Sequence, residues 1–158
     1  MVSYLARWDQ SNNNTSTNFV SITAVTWPIR IAQVLLWSGA SDNSQPIVSV
    51  RYEGGVASGG SSAPLVALRQ GAPAATATAR VGALTFTGTR RVLNTTVQPP
   101  GRVTEGTTSS VSGAATQMEF PLTTVIVPGS TFAITSGWFS TIGGCDIYFE
   151  ELRLFGSY

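Results

Sequence analysis

Histidine and lysine are both missing from the chain, cysteine occurs once, and charged residues make up only 11% of its 158 positions. Each absence removes a class of chemistry. Without histidine there is no imidazole to serve as general base or as the commonest transition-metal ligand. Without lysine, Schiff-base and Ser-Lys mechanisms fall away. The single thiol, Cys145, excludes a disulfide within the chain and a cysteine metal cluster; it reads as a small buried hydrophobe, in keeping with synthesis in a reducing cytosol. No apolar run approaches the roughly 20 residues that would span a membrane. The opening MVSYLARWDQ lacks the basic region and apolar segment of a signal peptide.

Nine arginines against eight carboxylates leave a formal net charge of +1, which offers no electrostatic grip on nucleic acid or an anionic membrane. The remaining route to catalysis is a carboxylate pair, which glycosidases hold about 5 to 9.5 Å apart. Glu150 and Glu151 are adjacent and face opposite ways on a strand, while Asp146 and Glu150 share a face at about 13 Å. Neither spacing suits the mechanism. The SDNS at 41–44 has oxygen ligands of the kind calcium takes but lacks its spaced acidic pattern, and reads as an Asx-type turn. The expectation is a protein that is not an enzyme and carries no metal or cofactor.

What the chain does contain is β-pattern. Between Trp27 and Glu53 two arms flank the turn-forming GASDNSQP. In the first arm Arg30, Ala32, Val34 and Leu36 alternate with Ile31, Gln33, Leu35 and Trp37, so both faces are largely apolar, as in a central strand covered on both sides. In the second, Val48, Val50 and Tyr52 oppose Ile47, Ser49 and Arg51, the signature of a half-buried antiparallel strand.

Residues 1–17 carry Tyr4, Leu5, Arg7 and Trp8 before the polar QSNNNTST, and read as an extended arm ahead of a domain over 18–158. These four residues are candidate partner contacts, although Tyr4 and Trp8 also suit a first edge strand. The glycine-rich stretch 54–64 lacks the Lys-Ser/Thr of a phosphate loop and reads as a surface loop. The tract APAATATA suits an edge strand or an extended crossing segment. The stretch 98–117, long and poor in bulky apolar residues, reads as an exposed loop. Trp138 and Phe139 sit on a glycine-flanked tip. In CDIYFEELRLFG, Cys145, Ile147 and Phe149 share one face while Leu152 and Leu154 fall on the other, a switch that a β-bulge near Glu150-Glu151 would explain. Eight or nine strands with frequent turns and no helical period predict an all-β, single-domain antiparallel β-sandwich of jelly-roll type.

The string from ITAVTWPIRI through SDNSQPIVSVRYEGG, the tract APAATATA, the pattern EFPLTTVIVPGSTFAI and the closing IYFEELRLFG resemble short all-β virion proteins of tailed bacteriophages. The resemblance implies a jelly-roll head protein that decorates and cements the capsid, often as a homotrimer, held non-covalently to the major capsid protein. It implies synthesis in the host cytoplasm and residence on the capsid surface. Two further readings stand beside it: a sugar- or receptor-binding module, with Trp138 and Phe139 stacking on a glycan, and a small tail or baseplate component.

Overall fold

The alternating β-branched, aromatic and small residues become strands throughout the described residues, and no helix occurs among them. A computed structural model describes residues 2–10, 18–38, 48–97, 114–119, 124–136 and 143–153. Over these the chain forms β1 (Val2–Gln10), β2 (Asn18–Thr23), β3 (Ile29–Ser38), β4 (Val48–Glu53), β5 (Ser58–Ala63) and β6 (Leu65–Ala67). It continues through β7 (Thr78–Thr85), β8 (Arg90–Val97), β9 (Ala114–Glu119), β10 (Val125–Ile126), β11 (Thr131–Ser136) and β12 (Gly143–Glu151). The β-rich reading holds. The strands outnumber the expected eight or nine because short pieces form where loops were expected.

Every pairing is antiparallel. The first sheet runs β10-β3-β12-β1-β6, with β9 on the same edge of β3 as β10. The second runs β5-β7-β2-β11-β4-β8. One core lies between them: Tyr4, Ile29, Ile31, Val34, Ile147 and Phe149 of the first sheet meet Ile22, Phe132 and Ile134 of the second, all buried. Each such large side chain contributes about 1.5–3 kcal/mol through removal from water. The Tyr4 and Phe149 rings stack with centroids 5.5 Å apart. The fold is an all-β antiparallel sandwich.

Three sequence expectations are corrected. The amino-terminal segment is no arm over Val2–Gln10: β1 lies inside the first sheet, paired with β12 along its length and with β6 on its other side. Residues 11–17 lie outside the described residues. In the strand the apolar Val2, Tyr4 and Ala6 recur at period two and all face the core. Second, the stretch 54–64 is not simply a loop, because β5 occupies most of it and pairs with β7. Its glycines permit a bulge: Gly59 faces Leu84 and Ser61 faces Val81, so Gly60 alone opposes Gly82 and Ala83. Gly60 and Gly82 have φ of 60° and 106°, and a Cβ on Gly60 would lie 2.3 Å from the Val81 carbonyl oxygen.

The third correction concerns β3 and β12. The bulge lies in β3, where Tyr148 faces Gln33 and Phe149 faces Ile31, leaving Ala32 as the extra residue. It moves the inward set from Ile29 and Ile31 to Val34, which is why β3 looked apolar on both faces. β12 itself keeps strict alternation, with Cys145, Ile147, Phe149 and Glu151 inward. The apparent switch arises because a buried carboxylate takes the last inward position. The stretch 98–117 ends in β9 from Ala114, and its remainder lies outside the described residues, as does the 41–44 turn.

Candidate interaction face

With Tyr4 and Ala6 turned inward, strand alternation puts Ser3, Leu5 and Arg7 on the opposite, outer face of the first sheet. The registers then fix rows across four strands. Val66, Leu5, Tyr148 and Gln33 stand side by side, from β6 through β1 and β12 to β3. A second row holds Leu68, Ser3, Glu150 and Arg30; Leu68 extends β6 by donating its N–H to the Ser3 carbonyl at 3.0 Å. The third holds Arg7, Asp146 and Leu35. Val66 and Leu68 are 53% and 51% exposed, two of the most exposed large apolar side chains among the described residues.

Charge on this face is held in pairs. Arg7 grips Asp146 in bidentate fashion, Nε to Oδ1 and Nη2 to Oδ2, each at 2.8 Å. The Asp146 side chain is 2% exposed while that of Arg7 is 59% exposed, so the guanidinium covers its own counter-ion. Arg30 donates from Nε to Glu150 Oε2 at 2.8 Å and also from Nη2. The result is an apolar strip, Leu68, Val66, Leu5 and Tyr148, bordered by two ion pairs.

The outer face of the second sheet is built differently. Ser21, Thr23, Thr131 and Ala133 alternate with the core residues Val20, Ile22, Phe132 and Ile134, yet they too are buried. A backbone segment lies against the Thr23–Thr131 pair: Thr131 Oγ1 donates to the Gly55 carbonyl at 2.7 Å, which leaves the Thr23 hydroxyl to donate to Thr131 Oγ1 at 2.8 Å. Gly54 N–H in turn donates to the Thr89 carbonyl at 2.9 Å. Residues 54–57 and 86–89 thus run together, and a Cβ on Gly88 would fall 0.8 Å from the Gly54 oxygen. Beside them Glu53 is buried and accepts from Arg90 Nε at 3.0 Å.

Of the residues singled out from sequence, Leu5 and Arg7 reach the open face. Tyr4 does not: it is fully buried, and its hydroxyl donates to the Pro73 carbonyl at 2.9 Å while accepting from Arg153 Nη2 at 2.8 Å. Tyr4 therefore cannot be a partner contact in this fold. Trp8 pairs with Cys145 in β1, and its side chain lies outside the described residues, as do Trp138 and Phe139. Val66, Leu68, Tyr148 and Leu35 were not foreseen. Their membership depends on which strand neighbours which, a fact that no local pattern carries.

Sequence reading also missed an internal network. Glu151, wholly buried, accepts at Oε1 from Thr76 N–H (2.6 Å), Thr76 Oγ1 (2.9 Å) and Ala77 N–H (2.8 Å). Its Oε2 accepts from Arg153 Nε at 2.9 Å and Nη2 at 2.6 Å. Arg153 also donates to the Ala74 carbonyl at 2.8 Å. Hydrogen bonds and a partner charge on both oxygens compensate the desolvation that burial imposes. The network fastens the small-residue tract 73–77 against the core; the expected crossing segment thus takes that path. Burial, and next the Glu151 charge, push the Tyr4 hydroxyl above its ordinary pKa, with Arg153 opposing. Burial, and next Asp146, push the Cys145 thiol up as well.

Among the described residues no group of three or more histidine, cysteine, aspartate or glutamate side chains could hold a metal ion. No helix among them is long and apolar enough to cross a membrane. No family model, no curated protein and no solved structure matches the chain.

Proposed function

We propose that the protein is a structural subunit of a tailed-bacteriophage virion, which decorates and cements the capsid by non-covalent contact with the major capsid protein and sister subunits. The observation that carries this reading is the open outer face of the first sheet. Strands β6, β1 and β12 there present an apolar strip with ion-paired borders, the composition of an interface centre and rim. Such a surface is suited to adhesion.

The strand order supports a jelly-roll assignment. β1, β12, β3 and the β9–β10 edge fill one sheet, while β2, β11, β4 and β8 fill the other. Successive members of this set of eight alternate between the sheets except β4 and β8, which are neighbours in the second sheet with β5, β6 and β7 inserted between them in the chain. The resemblance to phage virion proteins in the quoted sequence stretches points the same way.

The test is immunogold electron microscopy on phage particles that encode this chain, with light scattering on the purified protein. Dense labelling of heads and a trimer mass are expected. Label confined to the tail, or absent from intact particles, would overturn capsid decoration.

A further inference from the structure

The formal charge of +1 conceals an uneven distribution. Four carboxylates, Glu53, Asp146, Glu150 and Glu151, are each paired with an arginine, and their side chains are 1%, 2%, 19% and 0% exposed. Arg30 and Arg153 are withdrawn with their partners, but the other two arginines are not. Arg7 and Arg90 keep more than half of their side-chain surface in solvent, and Arg69 is exposed and enters no ion pair among the described residues. At Arg7 and Arg90 the guanidinium therefore lies outward and its carboxylate inward.

Two of these cations border the open face. Arg7 stands in the row of Asp146 and Leu35, and Arg69 follows Leu68 at the end of β6 beside Ser3 and Val2. Building on the adhesive role proposed for this face, we infer that its partner is a protein surface with an apolar centre and carboxylates at its rim, placed to meet Arg7 and Arg69. A nucleic acid fits less well. Few arginines around an apolar strip cannot follow a phosphate backbone, whereas arginine at the edge of Leu, Val and Tyr is the composition of a protein interface.

The probes are immobilised alternating Leu-Glu, Leu-Lys and Ser-Glu peptides and a DNA duplex, with the intact chain in solution. Retention on Leu-Glu should exceed that on the other three by about tenfold or more. Arg69→Glu should weaken it about fivefold and raised salt should weaken it too, since an exposed charge pair is screened. Leu68→Ser should also weaken it, whereas Val127→Ser, at the exposed turn after β10, should not. Both replaced apolar side chains are about half exposed, so the fold tolerates these changes. Equal retention on Leu-Glu and Leu-Lys, with Leu68→Ser still disruptive, overturns the acidic partner but leaves the face as the contact site. Equal or stronger retention on DNA overturns the protein partner. Retention on none of the probes, or retention indifferent to Leu68→Ser, overturns both the acidic partner and the face.

Discussion

The two outer faces of the sandwich began from the same kind of pattern and ended in opposite conditions. On the second sheet the outward Ser21, Thr23, Thr131 and Ala133 are small, and the chain's own backbone at Gly54–Gly55, beside Gly88–Thr89, closes on the Thr23–Thr131 pair. On the first sheet the outward residues include Leu5, Val66, Leu68 and Tyr148, larger and apolar, and these remain partly or largely exposed. A naive polarity rule would have placed the cover the other way round. Size explains the result: small side chains let a second backbone approach closely enough to hydrogen-bond, whereas bulky ones leave a surface suited to a separate partner's side chains.

The comparison can be broken most severely at Gly88. In Gly88→Ala the new methyl would collide with the Gly54 carbonyl, so the cover must shift off the second sheet. A loss on the order of 3 kcal/mol in urea unfolding is expected, and wild-type stability would show that the cover is not held there. Next in size is an alkaline effect beneath the open face. The Cys145 pKa is raised in the folded state, so its contribution to stability is complete below the ordinary thiol value and falls as pH rises past it. The fall approaches about 1.4 kcal/mol per pH unit above roughly pH 8.5. Tyr4 adds a loss of the same sign from near pH 10, its ordinary value. Urea titrations from pH 7 to 11 on wild type and Cys145→Ala test this; equal slopes in the two proteins would refute the thiol's share.

Smaller again is Thr131→Val. It removes the bond to Gly55 and leaves the Thr23 hydroxyl without its acceptor, for about 1–2 kcal/mol. The least change in stability should come from Val66→Ser on the open face, within about 0.5 kcal/mol. If that variant unfolded readily, the open face would be part of the fold's own support and the contrast between the faces would fail.

The sequence showed the strand content and the antiparallel sandwich clearly, because period-two alternation is a local signal. It was silent or misleading wherever one strand's fate depends on another. β1 looked like an arm because its polar sequel is local, while its pairing with β12 joins residues such as Arg7 and Asp146, 139 positions apart. Glu151 looked like a break in an apolar face because a buried carboxylate is intelligible only with Arg153, Thr76 and Ala77 around it. The bulge expected near Glu150-Glu151 is absent, since β12 alternates without a break; the bulge lies in β3 at Ala32, where the apolar residues on both faces hid it. Of the candidate site, Leu5 and Arg7 were legible; Val66, Leu68 and Tyr148 became their neighbours only through the topology.

The central place of β12 also has a meaning in time. Its partners β1 and β3 precede it by separations such as the 120 residues between Arg30 and Glu150 and the 139 between Arg7 and Asp146. On a ribosome adding about 5–20 residues per second, those two strands wait on the order of ten seconds before the strand that joins them is made. During that interval each offers bare backbone to any neighbouring chain. Nascent copies on one message are thus exposed to mutual mispairing, and a circular permutant that begins with β12, so that β1 and β3 follow it directly, should give a higher soluble yield than the natural order.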